Sequence, residues 1–243
     1  MSHGLPSPGV DDGHRPASVG GAAFFDVDNT LIRGSSLYQL GRGLHARGVV
    51  STMDILRFGR RHLGHVLSRA EQKRHAAEFE GDRAETGAVA RGLHAAVLHA
   101  EVEVIVRERI VPRVRPAVLA AAREHQALGQ QVWLVTASVQ PLADTLARQL
   151  RLTGAMGSKV VVVDGFYTGE QDGPLLHGRM KAEAVLRLAA AEGFDLSASS
   201  AYSDSVNDIP MLRVVGHPRP VCPDRRLRKY ASAQGWRVFG DEH

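Results

Sequence analysis

The stretch AAFFDVDNTLIRG, residues 22–34, ends an apolar run with Asp26 and Asp28, and Thr30 follows two positions later. Side chains two residues apart in an extended chain share a side, so two carboxylates collect where a buried strand would meet solvent. That placement calls for a cation. Thr136 and Ser138 follow the apolar run VWLV, and Asp204, Asn207 and Asp208 follow SSAYS. Mg2+ prefers oxygen ligands and usually takes one or two protein carboxylates, waters and a substrate phosphate. Asp26 and Asp204 can supply the carboxylates, the carbonyl of Asp28 a third oxygen, and Asp208 can hold a metal-bound water.

A carboxylate is also a nucleophile that splits one difficult displacement into two easier ones. Asp26, last in its strand and pinned by the metal, suits attack on phosphorus. Asp28 suits proton transfer to the leaving alkoxide and later from the hydrolytic water. The spread charge of a transferring phosphoryl group needs fixed donors and a cation. Thr136 offers a hydroxyl and nearby backbone N–H groups. The chain has four lysines, at positions 73, 159, 181 and 229. Lys181, opening a helix shortly before the Asp204 strand, is the first candidate; Lys159, leading into an apolar run, is the second.

The elements that must position these residues read as alternating strands and helices. A short strand ends at Asp26. From about Ser36 to Val111 the chain is Leu, Ala, Arg, Glu and His at helical spacing, with breaks near Gly48, Gly64–Ser68 and Gly81. After Pro112 and Pro116 come a helix stopped by Gly129, the strand QQVWLVTAS and the helix VQPLADTLARQL. KVVVVDGFYTGE reads as a hairpin turning at Asp164-Gly165. The helix RMKAEAVLRLAAAEG, the strand SSAYSD, the helix VNDIPMLRVV, the segment HPRPVCPD, a helix to Gln234 and a last strand WRVFG complete the pattern.

Strands alternating with helices of this length imply parallel pairing with right-handed crossovers. The expectation is an α/β, doubly wound, Rossmann-like parallel sheet with an inserted all-helical cap. Ligands bind such sheets beyond the carboxyl ends of the strands, where the polar residues collect. The expected division is a disordered tail at 1–20, a core from 21–36 and 112–243, and a cap over 37–111.

Composition narrows the setting. The 243 residues carry a formal charge of +4 and one cysteine, Cys222, so no intrachain disulfide is expected and a cytoplasmic location fits. No run reaches the roughly 18–20 apolar residues of a membrane helix, and the first residues lack a secretory layout. Basic residues are spread without interleaved aromatics, which disfavours nucleic acid as a partner. The segment RFGRRHLGHVLSRAEQKRH, with Arg57, Arg60, Arg61, Arg69, Lys73 and Arg74, reads first as a solvated helix face, with a second anionic group of the substrate or, less favoured, an acidic lipid surface as the functional alternatives, and His62 and His65 within it show no zinc spacing.

DVDNT, LVTAS, the helix-borne Lys181 and YSDSVNDIPML resemble, in order, the four motifs of the haloacid dehalogenase (HAD) superfamily. The helical insertion after the first motif resembles the C1-cap subgroup that includes phosphoserine phosphatase. The resemblance implies a Mg2+-dependent phosphatase with Asp26 as nucleophile and metal ligand, Asp28 as acid/base, Thr136 and Lys181 on the phosphoryl oxygens, Asp204 as metal ligand, and Asn207 and Asp208 as supports. Dehalogenases of the superfamily lack the second aspartate, so Asp28 favours phosphatase chemistry.

The chain departs from phosphoserine phosphatases at the position of their ammonium-binding glutamate, which is Ser35 here. Ala137-Ser138 replaces glycines of the second motif, and Ser203-Asp204-Ser205 replaces Gly-Asp-Gly. Glu71 and Glu78 of the cap are candidates to replace the missing carboxylate. A small phosphorylated metabolite is the expected substrate, phosphoserine among the candidates. Histidinol phosphate, a lysophospholipid, phosphoryl transfer to another alcohol and a non-catalytic binding module are the alternatives. Oligomeric state is not legible.

Overall fold

The computed structural model describes residues 20–50 and 91–240. The tail at 1–19, and the cap segment 51–90 with its basic run, Glu71 and Glu78, lie outside them. The strands are β1 (Ala23–Phe25), β2 (Val132–Val139), β3 (Gly154–Ser158), β4 (Val160–Val163), β5 (Phe166–Gln171), β6 (Ser200–Ser203) and β7 (His217–Pro220). Five of them form a parallel sheet in the order β3-β2-β1-β6-β7. The chain winds outward from central β1 in both directions, as a doubly wound sheet does. β4 and β5 make a separate antiparallel hairpin, with positive φ at both Asp164 (50°) and Gly165 (83°), the conformation a two-residue turn between twisted strands requires.

Seven α-helices accompany them among the described residues: α1 (Ser36–Ala46), α2 (Ala95–Ile105), α3 (Pro116–Ala127), α4 (Gln140–Gln149), α5 (Arg179–Glu192), α6 (Ile209–Arg213) and α7 (Arg225–Ala233). β1 shows why helices cover both faces of the sheet. Ala23 and Phe25 join a core built with Leu44, Leu98, Val118 and Leu142 of α1 to α4, whereas Phe24 joins Val185, Met211 and Leu227 of α5 to α7. Successive side chains point to opposite faces, so a continuous apolar run on a strand buried on both sides divides the core into two layers. Phe25 stacks on Tyr202 of β6 at 4.2 Å, and Phe24 meets Phe194 edge-on at 6.5 Å.

The chain leaves and re-enters the core at one place on either side of the expected cap. α2 continues into a π-helical turn, Val106–Ile110, and a 3-10 turn, Val111–Arg113. There Arg33 N–H donates to the Arg113 carbonyl (2.9 Å) and Arg115 N–H to that of Leu31 (2.8 Å). Gly43 of α1 faces Ile105 so closely that a Cβ would sit 2.6 Å from Ile105 Cγ1, which brings the described ends of the insertion together.

Three elements differ from the sequence reading. β3, GAMGS, was not expected, because small residues give no strand signal. The glycines are there for close approach: a Cβ on Gly154 would lie 2.5 Å from the Trp133 ring, and one on Gly157 2.9 Å from Gln140 Cα. The expected last strand, WRVFG, contributes a single bridge, Phe239 to Val221; the edge strand is instead β7, HPRP, whose prolines an edge tolerates. The expected helix VNDIPMLRVV is split into a 3-10 turn, Val206–Asp208, and the short α6, Pro210 lacking the N–H that a helix interior needs.

Candidate active site

β1 ends at Phe25, and the chain turns at once. Asp26 N–H still donates to the Tyr202 carbonyl (2.9 Å), so Asp26 sits at the carboxyl end of the central strand, beside β6. Asn29 takes a left-handed φ of 60°, which asparagine tolerates, and its Oδ1 accepts from Gly34 N–H (3.2 Å). The resulting loop carries half-buried Asp28 to the start of α1, where its Oδ1 accepts from Ser36 N–H (2.8 Å). A carboxylate at a helix N-terminus is well placed, yet burial outweighs these bonds and raises the Asp28 pKa above the usual carboxylate range.

Lys181, in the first turn of α5, joins the motifs. Its Nζ donates to Asp26 Oδ1 (2.6 Å) and to Asp208 Oδ2 (2.8 Å). All three residues are at least 95% buried. Ser203 Oγ also donates to Asp208 Oδ2 (2.7 Å), while Asp208 Oδ1 is buried without a partner. Burial alone would lower the Lys181 pKa, but the facing Asp208 and Asp26 carboxylates reverse that and raise it, so the ammonium is charged. Burial raises Asp26, with Lys181 opposing and Asp208 reinforcing the rise. Lys159, the other lysine considered, is exposed at the start of the hairpin.

Asp204 is held by Thr30, whose Oγ1 donates to Asp204 Oδ1 (3.2 Å) and accepts from Asp204 N–H (2.9 Å). Burial pushes Asp204 up to about 6. Thr136 is buried inside β2 rather than after it, and its Oγ1 accepts from Ser138 N–H (3.1 Å). Asn207 is exposed, and the bond it makes is through its own N–H to Ser205 Oγ (3.2 Å). The structure thus brings Asp26, Lys181 and Asp208 into direct contact and sets Asp204 beside them. It gives Thr136, Asp28 and Asn207 no direct bond to that cluster. Among the described residues no three His, Cys, Asp or Glu side chains are gathered closely enough to cage an ion by themselves. The four aspartates read as metal residues therefore divide by partner: Asp26 and Asp208 to the lysine, Asp28 to α1, Asp204 to Thr30.

Ser158 escaped the sequence reading. On β3, it donates through Oγ to the Ala137 carbonyl (2.9 Å) and accepts from Leu176 N–H (3.1 Å), so it ties the second motif to the loop that delivers Lys181. A lone serine in a strand with no strand signal offered nothing to find it by.

Comparison with known proteins agrees with this architecture. The family model for haloacid dehalogenase-like hydrolases matches residues 23–213. Phosphoserine phosphatase SerB1 of Mycobacterium tuberculosis is 42% identical over 241 residues, spanning 96% of this chain and 76% of that protein. The histidinol-phosphatase of Neisseria meningitidis is 25% identical over 232 residues, 89% of this chain and 97% of that one. A solved structure from Bordetella pertussis, described as a protein with unknown function, superposes with a TM-score of 0.75 at 29% identity, covering 89% of this chain and 96% of that chain. The order of motifs along the sheet, the buried lysine between two aspartates and the extent of these matches lead to one conclusion: the chain belongs to the haloacid dehalogenase-like hydrolases, in their phosphoserine-phosphatase-like subgroup.

Proposed function

We propose that the protein is a Mg2+-dependent phosphomonoester hydrolase that works through an aspartyl-phosphate on Asp26 and acts on a small phosphorylated metabolite. The observation that carries this reading is the buried Lys181 ammonium on Asp26 Oδ1, 155 residues away in sequence. A lysine there fixes the nucleophile's orientation and can share its charge with an incoming phosphate. The donor set fits Mg2+: Asp26 and Asp204 give hard oxygens, the unpartnered Asp208 Oδ1 is an acceptor for a bound water, and the ion ordinarily completes its shell with waters and substrate. Bound there, Mg2+ would neutralise phosphate charge.

In the first step the free oxygen of Asp26 attacks phosphorus and the P–O bond to the leaving group breaks. Asp28, raised toward its protonated form by burial, gives its proton to the departing alkoxide. In the second step Asp28 takes a proton from water, the water oxygen attacks phosphorus, and Asp26 is released with inorganic phosphate.

Phosphoserine remains the named substrate candidate on the strength of the Mycobacterium tuberculosis relative, and histidinol phosphate on that of the Neisseria meningitidis one. Ser35 argues for relaxed selection of the amine: it caps α1 by accepting from Tyr38 N–H, and the first turn of that helix carries no acidic residue. Assay of the purified protein with Mg2+ across phosphoamino acids, sugar phosphates, nucleotides, histidinol phosphate and lysophospholipids tests the reading. Mg2+-dependent phosphate release from one class is expected, and release from none would refute it.

A further inference from the structure

The turn that carries Asp204 and Asp208 is defined almost wholly by side chains. Asp204 N–H goes to Thr30 Oγ1, Ser205 N–H to Ser203 Oγ, Asn207 N–H to Ser205 Oγ, and Asp208 N–H to the Ser205 carbonyl. The remaining N–H, that of Val206, donates to Asp224 Oδ2 at 2.9 Å. Asp224 lies outside all four motifs. Its own N–H returns a bond to the Asp204 carbonyl (2.8 Å), so it holds the turn at two successive peptides directly after Asp204. Its other oxygen, Oδ1, accepts from Arg226 N–H (2.8 Å) and Leu227 N–H (2.7 Å) at the start of α7. The chain reaches this position through Cys222, whose φ of 42° turns it back after Val221 N–H has met the Ser203 carbonyl (2.8 Å).

We propose that Asp224 is a positioning residue for the reaction: it locks the Asp204–Asp208 turn to the start of α7, and so keeps Asp204 directed at the site and Asp208 on Lys181. The role needs a carboxylate, because two acceptor oxygens serve two separate sets of donors. Asparagine offers one acceptor oxygen, and serine is too short to reach Val206 once it caps the helix. Both are good helix-start residues, so α7 survives either change. The inference rests on the function proposed above for its kinetic part, while its structural part stands apart from it.

The test compares Asp224→Asn and Asp224→Ser with the unaltered protein in two ways. Amide hydrogen exchange of the metal-free protein is followed separately for peptides covering 203–208 and 225–233, and hydrolysis of an aryl phosphate is measured across a Mg2+ titration. Faster exchange confined to 203–208 is expected, with kcat lower by about tenfold or more and KM for the aryl phosphate within about threefold, since misplacement of catalytic groups costs rate more than binding. Unchanged exchange of 203–208 in the serine variant, or faster exchange of 225–233 alone with kcat retained, overturns the proposal. If the unaltered protein shows no Mg2+-dependent turnover, the proposed function fails, and the exchange experiment still decides the role of Asp224.

Discussion

Two neighbouring regions of the site are built in different ways. Where β1 and β6 end, Asp26, Lys181, Asp208 and Ser203 are buried, and Lys181 joins Asp26 and Asp208 from distant segments while Ser203 adds a bond to Asp208. At the start of α1 the bonds are local: Asp28 to Ser36 and Ser35 to Tyr38, with Arg33 exposed and the Tyr38 side chain 45% exposed. A buried polar group without its partner costs far more than an exposed one. The first region therefore tolerates little change and suits the invariant phosphoryl chemistry. In the second, exposed Arg33 and Tyr38 can change around Asp28, which suits discrimination between leaving groups.

The sharpest way to break this contrast is at the proposed nucleophile. Asp26→Asn removes the attacking carboxylate, and single-turnover phosphate release should fall by about a thousandfold or more; retention of a tenth of the rate, a loss of only about 1.4 kcal/mol, would rule out a covalent role. Removing the metal should act on the same region: a chelator abolishes turnover and added Mg2+ restores it, whereas full activity in excess chelator would strike the ion from the mechanism.

Lys181→Met tests the pairing itself. It leaves Asp26 and Asp208 facing each other in a buried site without their cation, which should cost about 3–5 kcal/mol of stability, read by denaturant unfolding, besides lowering turnover. A variant as stable as the parent would mean that the two carboxylates are separated by more than the ammonium.

The other region should respond more gently. Asp28→Asn is expected to slow alkyl phosphates far more than an aryl phosphate whose leaving group needs little protonation; equal losses on the two would assign Asp28 to structure. The smallest effect is at Ser35. The ratio of kcat/KM for phosphoserine and its analogue without the amino group should lie near one, and Ser35→Glu should raise it by about ten- to a hundredfold, the worth of one charge-assisted hydrogen bond. A ratio already near a hundred in the unaltered protein would show that another carboxylate serves the amine.

Much of this was legible in the residues. Asp26, Asp28, Asp204 and Asp208 stand out because acids directly after apolar runs have few structural uses, and Lys181 because lysines are scarce. What was not legible depended on neighbours. GAMGS becomes a strand by pairing with β2, its glycines leaving room for Trp133 and Gln140, and HPRP an edge strand because only one side of it needs a ladder. WRVFG carries the stronger strand pattern yet supplies one bridge, where Phe239 N–H donates to the Pro220 carbonyl (2.7 Å), and the prolines of β7 have no N–H to extend a ladder. Ser158 and Asp224 look ordinary in sequence and gain their meaning from the loops they bind.

The sequence by itself determined what short-range sterics and hydrogen bonding decide: the Asp164-Gly165 turn, the left-handed Gly193 that stops α5, the continuous apolar run that buries both faces of β1, and the acidic residues at strand ends. Only the tertiary structure decided that Lys181 bridges Asp26 and Asp208 and that Asp208 keeps one oxygen unpartnered. Those pairings join residues 27 and 155 positions apart. No local pattern encodes them, because they follow from how the two apolar faces of one sheet are covered, and that packing alone sets which strand ends meet.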